Sequence, residues 1–236
     1  MMETIGKASL TARPCNRLAR PLHGTGVQPL GLKPVRDALL YVPPELGPHD
    51  RTGFLVTLHG AGGDAARGLS LLLPLADRYR LVLLAPASRG STWDALRPGR
   101  YGPDVTVLNH ALDHVFGTVA IDPERVGIAG FSDGASYALG LGLANGDLFR
   151  RIIAFSPGFI PPGSRSGKPA VFISHGDHDD VLPVASTSRR IVPALQRDGY
   201  QVSYREFHGP HTLPPEIAVE AAGWLGWNLP GHVDNR

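Results

Sequence analysis

Five residues, Gly130-Phe131-Ser132-Asp133-Gly134, carry the sharpest chemical signal in this chain. They form a G-x-S-x-G set, whose chemistry needs a hydroxyl pushed out of a sheet on a strained turn from strand to helix. Glycines two residues either side of the serine let the backbone bend without a side-chain clash. The helix that follows points its amino end at the site and favours negative charge beside the hydroxyl. The plain alternative is an ordinary turn capped by Ser132. The run RVGIA before the set and the small-residue stretch GASYALGLGLA after it favour a nucleophile.

A serine hydroxyl is a weak nucleophile and needs a base, itself oriented by a carboxylate. On a sheet of this kind the chain order is serine, acid, histidine. Downstream, Asp177, Asp179 and Asp180 offer the acid, and His208 and His211 the base, so the order is met. The cluster His175-Gly-Asp-His-Asp-Asp also resembles a set of metal ligands. It reproduces neither a His-x-His-x-Asp-His spacing nor a His-Glu-x-x-His helix, and no metal or other cofactor is expected. Acyl transfer further needs N–H donors for a developing oxyanion. The residue after the nucleophile, Asp133, supplies one. The loop His59-Gly60-Ala61-Gly62-Gly63 is short on side chains and can bring a second in close, that of Ala61.

These loops need a frame, and the rest of the chain provides one. Apolar, β-branched runs at Ala38–Val42, Phe54–Leu58, Leu81–Ala85, Val126–Ala129, Ile152–Phe155, Val171–Ser174 and Val202–Phe207 predict strands. Helical stretches are expected near Gly68–Tyr79, Val105–Val119, Gly134–Asn145, Val184–Arg197 and Pro215–Trp227. FLVTL, LVLLA and VFIS are continuously apolar, as in strands buried on both faces. Alternation of strands and helices predicts a mostly parallel sheet covered on both sides. Chemistry collects in the loops at the carboxyl ends of such strands, where all four candidate loops fall.

Composition bounds the reading. The 236 residues suit one large domain or two small ones, and 42% hydrophobic residues can build a sizeable core. Charged residues at 19% are too few for a disordered, solvating chain, and a net charge of +2 is no nucleic-acid footprint. Cys15 is the one cysteine, which excludes an intrachain disulfide and a multi-cysteine zinc site. The amino terminus is Arg-rich without the charged-then-apolar pattern of a signal peptide, and no run approaches the ~18 apolar residues of a membrane span. A cytoplasmic protein is the expectation, an organelle transit sequence the minor alternative. Residues 1–34, with four prolines and several glycines, predict a loosely structured lead-in, 35–230 a catalytic domain and 231–236 a tail.

Four motifs in order carry a resemblance: Leu58-His59-Gly60; Gly-Phe-Ser-Asp-Gly; His175-Gly-x-x-Asp179 followed by Val181-Leu182-Pro183; and His211-Thr212-Leu213-Pro214. Together they look like the phospholipase/carboxylesterase family of α/β-hydrolases, from about Leu39 to Trp227. The resemblance implies the α/β-hydrolase fold, a Ser132–Asp179–His211 triad and an oxyanion hole from the N–H groups of Ala61 and Asp133. The family pattern puts its acid at the fourth residue after the loop histidine, selecting Asp179, and its base before a Thr/Ile-Pro type ending, selecting His211. Two departures stand out. Many relatives have Gln where this chain has Asp133, and Gly where it has Pro210.

Weaker candidates surround the triad. Trp93 is a candidate wall for the substrate pocket, with a core tryptophan equally well supported. Val181 and Leu182 are candidates for apolar substrate contacts, though packing explains them as well. His59 is expected to brace its loop, and Trp224 and Trp227 to lie in the core. The function expected is a serine esterase hydrolysing short-chain carboxylic esters through an acyl-enzyme on Ser132. A polyester depolymerase, feruloyl-esterase or thioesterase is the nearest rival, and a catalytically silent binding protein the rival of another class. The partners expected are a small ester and water, without nucleic acid or membrane; a homo-oligomer is compatible with the sequence. Because Ser156–Pro169 holds four prolines and three glycines, no helical cap is expected over the site.

Overall fold

The apolar runs fold into the strands they predict, in a computed structural model that describes residues 8–15, 24–32, 36–47, 50–96 and 100–227. The expected tail at 231–236, and residues 1–7, 16–23 and 33–34 of the expected lead-in, lie outside the described residues. Eight strands form one sheet: β1 (Gly26–Pro29), β2 (Leu39–Val42), β3 (Thr52–Leu58), β4 (Leu81–Ala85), β5 (Ile121–Phe131), β6 (Arg151–Phe155), β7 (Ala170–Gly176) and β8 (Val202–Phe207). Their order across the sheet is β1-β2-β4-β3-β5-β6-β7-β8. The first two pairings are antiparallel and every later one is parallel. β5 runs longer than its apolar stretch because its first half pairs beside Thr52 before a register shift brings Val126 opposite Phe54.

Continuous apolarity has the expected cause. Every residue of β3, β4 and β7 is buried, because helices cover both faces of the sheet. On one face, α3 (Pro103–Thr118), α4 (Asp133–Ala144) and α5 (Ser188–Arg197) share one core with Phe54, Val56 and Leu58. On the other, α1 (Ala65–Ser70), α2 (Leu73–Ala76) and α6 (Pro215–Trp224) pack against Leu55, Leu83 and Phe172. Alternate side chains of one strand therefore feed two separate cores, as the period of two requires. The helix expected at Gly68–Tyr79 is two short helices instead. Pro74 lacks an N–H donor and fits a first turn, so the chain breaks at Leu72 and restarts. Trp227 is buried, and Trp224, half-buried, packs against Phe172 with ring centroids 5.6 Å apart.

The expectation of a loosely structured lead-in needs correction for its described parts. Gly26–Pro29 is an edge strand on β2. Residues 8–12 form a strap: Asn145 receives the Leu10 N–H at 2.8 Å and donates to the Ala8 carbonyl at 2.8 Å, while Asn109 accepts from the N–H groups of Thr11 and Ala12. Leu10 is buried in the core beneath. Proline and glycine content predicts lost regular structure, but side chains on α3 and α4 satisfy this backbone from outside it. Within 156–169, between β6 and β7, there is no helix, as expected.

Candidate active site

Ser132 stands between the end of β5 and the start of α4 at φ 57°, ψ −119°, a region a non-glycine side chain enters only when its surroundings hold it there. Those surroundings are tight. A Cβ on Gly134 would lie 2.2 Å from the Leu58 carbonyl oxygen, and one on Gly130 would lie 2.2 Å from that of Gly134. The two glycines thus let the amino end of α4 press against the carboxyl end of β3. This turns Ser132 out of the sheet, its own N–H held by the Phe155 carbonyl at 2.9 Å.

The loops after β7 and β8 bring the other two groups to it. His211 Nε2 lies 2.9 Å from Ser132 Oγ, and His211 Nδ1 lies 2.6 Å from Asp179 Oδ2. The Phe131 ring packs on the imidazole at 4.8 Å between centroids. With the carboxylate facing Nδ1, the proton belongs on Nδ1, leaving Nε2 free to accept from the serine. The neighbouring alternatives lie elsewhere. Asp177 receives the Gly209 N–H and faces His178 and His208, and His208 is exposed, away from the serine.

Asp179 is buried and surrounded by donors. Its Oδ1 accepts the N–H groups of Val181 at 3.0 Å and Leu182 at 2.7 Å. Burial works to raise its pKa, but the Leu182 N–H and then the His211 side chain prevail and hold it below the ordinary carboxylate value. Behind it lies a residue the sequence reading assigned no role, His175, fully buried on β7. Its Nε2 lies 2.7 Å from the Leu182 carbonyl and 3.1 Å from Asp179 Oδ2, and its Nδ1 lies 2.7 Å from Ser188 Oγ. Burial lowers its pKa against the pull of that carbonyl and of Asp179, so the ring is neutral, with Nε2–H donating forward and Nδ1 accepting from Ser188. His175 stands where it would hold the Asp179 carboxylate in place. Its signal was the histidine that opens the third motif, legible as pattern but not as contact.

His175→Phe tests this. Losing a hydrogen bond to a charged group is worth about 1.5–3 kcal/mol, so kcat is expected to fall roughly 10- to 100-fold with KM nearly unchanged. With one donor fewer, the Asp179 carboxylate holds a protonated His211 more strongly. The acid limb of the kcat/KM profile should therefore move to higher pH, a displacement that mere loosening of the loop would not give. An unmoved profile would reduce His175 to packing.

The loop that carries Ala61 is held by a brace. His59 accepts the Ser88 N–H on Nε2 at 3.0 Å and donates from Nδ1 to the Gly60 carbonyl at 2.7 Å. The Gly62 N–H reaches the Ser91 carbonyl at 2.7 Å, and Arg36 spans the Ser88 and Gly63 carbonyls. Among the described residues, neither the Ala61 N–H nor the Asp133 N–H donates to another protein group. The Asp133 carboxylate receives the Thr92 hydroxyl and ties the start of α4 to the loop after β4. This gives the unusual residue after the serine a structural task. No feature of the sequence marked Arg36 or Thr92.

Trp93 requires a correction. It is 1% exposed, stacks between His59 and Tyr137, and donates its indole N–H to the His59 carbonyl at 2.9 Å. It stiffens the loop from beneath instead of lining a pocket. Apolar surface near the triad comes from the loops after β6 and β7. Val181 is 62% exposed and Leu182 half-buried, and Leu182 lies against Gly158, next to Phe159, which is 44% exposed. The N–H groups of Gly158 and Phe159 both point at Ser136 Oγ, one turn along α4 from the serine. Phe159 had no prior signal, because a loop phenylalanine reads the same whether it packs inward or outward.

Residues 105–221 match the profile of a family described as phospholipase/carboxylesterase, and three of the four motifs fall inside that span. No curated protein sequence matches the chain. Among solved structures it is similar to esterase PE8, at 23% identity over 86% of this chain and 99% of that one, with a TM-score of 0.66. It is similar to the Bacillus cereus carboxylesterase at 18% identity, over 82% and 95% of the two chains, with a TM-score of 0.62. It is also similar to Est2 of the Planctomycetes species Thermogutta terrifontis, determined with propionate bound, at 17% identity over 86% and 92%, with a TM-score of 0.65. The fold is that of the α/β-hydrolases, and the family resemblance read from the motifs is borne out over the matched span.

Proposed function

We propose that this α/β-hydrolase-fold chain, with its phospholipase/carboxylesterase match over residues 105–221, is a serine esterase acting on short-chain carboxylic esters. The observation that carries the reading is the continuous relay from Ser132 Oγ through His211 to Asp179. His211 Nε2 takes the Ser132 proton as Oγ bonds to the ester carbonyl carbon, and the carbonyl π pair moves onto its oxygen. The Ala61 and Asp133 N–H groups face that oxyanion, a stabilisation worth about 2.7–4 kcal/mol per donor in comparable sites. The pair returns to re-form the carbonyl, the C–O bond to the alcohol breaks, and His211 gives its proton to the leaving oxygen. Water then bonds to the acyl carbon as His211 takes its proton, the C–Oγ bond breaks, His211 returns the proton to Ser132 Oγ, and the carboxylic acid departs. Asp179 stabilises the imidazolium in both halves. A fluorophosphonate probe should label the wild-type chain once, at Ser132.

Acyl preference follows from the rim. With no helix between β6 and β7, and Val181 and Phe159 open to solvent, apolar cover is short. On p-nitrophenyl esters, kcat/KM should rise by roughly 0.8 kcal/mol, about fourfold, per methylene only until Val181, Leu182 and Phe159 are covered. It should then level off, with no jump in rate as substrate passes its solubility limit. A steady climb beyond about ten carbons, or activation at an oil–water interface, would point to an apolar tunnel or mobile lid and overturn the short-chain assignment.

A further inference from the structure

We propose that Asp177, His178 and His208 form a surface binding site for one first-row divalent transition-metal ion of the zinc class. The three residues belong to the loops that carry Asp179 and His211 but share no atom with the triad. Each offers one ligand atom, and these atoms all lie within 4.8 Å of one another. His178 Nδ1 is 2.7 Å from Asp177 Oδ1, and His208 Nδ1 is 3.3 Å from Asp177 Oδ2. Donors placed tetrahedrally ~2.0–2.1 Å from a zinc ion stand roughly 3.3 Å apart, so His208 already lies at about that separation from one carboxylate oxygen, and His178, hydrogen-bonded to the other, would move outward on binding.

The backbone beneath is firm although the side chains are free to adjust. The Gly209 N–H donates to Asp177 Oδ1 at 3.0 Å, the His178 N–H to the Gly209 carbonyl at 3.0 Å, and the Asp177 N–H to the Phe207 carbonyl at 2.9 Å. A Cβ on Gly176 would lie 2.3 Å from the Gly209 carbonyl oxygen, so the two loops are pressed together. The Gly209 N–H orients the carboxylate as an outer-shell partner would. The imidazoles already meet edge to face, with centroids 4.6 Å apart. Their side chains are 67% and 84% exposed.

The donor set chooses the ion. Two imidazole nitrogens and one carboxylate suit zinc, copper(II) or nickel(II), whereas calcium and magnesium seek six or more oxygens. The fourth position faces solvent and takes water. A bound ion would tie the acid loop to the base loop through three side-chain bonds.

Calorimetric titration of the full chain with zinc chloride, in a non-coordinating buffer, tests the site. One equivalent is expected, with Kd on the order of micromolar, and no heat from magnesium or calcium. His178→Ala and His208→Ala should each weaken that equivalent at least about tenfold, and the double variant should remove it, with circular dichroism and esterase rate as in the wild type. His110→Ala/His114→Ala removes two exposed histidines four residues apart on α3 and should leave the equivalent intact. Absence of binding up to about a millimolar would overturn the proposal. So would an equivalent that survives the His178/His208 double variant, or one lost with His110 and His114.

Discussion

A Ser132→Ala protein is expected to fold as the wild type does and to lose about four to six orders of magnitude in kcat, and His211→Ala the same. Members of a triad act as a unit, so either deletion removes nearly the whole nucleophilic contribution and leaves only what binding and the oxyanion donors supply. Folding should survive because the Ser132 side chain caps no helix; the hydrogen bond it makes is to His211. Alanine keeps the Cβ and therefore meets the same backbone conformation at φ 57°. KM should change little, since neither residue contacts the acyl or alcohol group for binding. Fluorophosphonate labelling should vanish with Ser132. Turnover near the wild-type rate in a folded Ser132→Ala protein would end the esterase reading.

Asp179→Asn should cost about three to four orders of magnitude in kcat, by favouring the wrong His211 tautomer. The surroundings sharpen this expectation. Both carboxylate oxygens face N–H donors, those of Val181 and Leu182 on one side and those of His211 and His175 on the other. An asparagine has one NH2 group, which must point at donors whichever way the amide turns. Stability should fall with it. The folded-state pKa of Asp179 lies below its unfolded value, so the ionised carboxylate stabilises the fold above the ordinary carboxylate range. That contribution is lost as pH falls through the folded-state pKa, and Asp179→Asn should flatten this part of the acid denaturation curve. By contrast, Asp177→Asn and Asp180→Asn should cost about tenfold or less, as surface or loop-bracing changes. If Asp177→Asn proved the crippling change instead, the acid of the triad would be misassigned.

Much of this site could be read from local pattern. G-x-S-x-G announces its turn because the bend itself needs glycine at both ends, a demand met within five residues. The buried strands announce themselves because a strand covered on both faces has no polar positions. Where these signals fail, the reasons are physical. β1 has four residues, one of them proline, and the half-exposed face of an edge strand, so its periodicity is too short to read. The pairing of Gly26 with Val42 reveals it only in space. The strap at 8–12 is held by Asn109 and Asn145, residues about a hundred positions away or more.

The sequence by itself determined the class of sheet, the turn that carries Ser132, and the chain order of the candidate serine, acid and histidine. Residue type and spacing control backbone conformation locally, and the chemistry demands particular types. The tertiary structure brought Asp179, the aspartate that the family pattern selects, against His211, and it alone decided that Trp93 stiffens a loop from within the core and that His175 stands behind Asp179. Asp177, Asp179 and Asp180 are the same side chain at nearly the same place in the chain, so residue type alone cannot rank them and only the spacing of the resembling motif does. What separates them is direction: one residue's step along the loop turns a carboxylate toward solvent and another's turns it inward. Ser132 and His211 meet across 79 residues of chain, and that meeting is a property of packed strands and helices that no local stretch encodes.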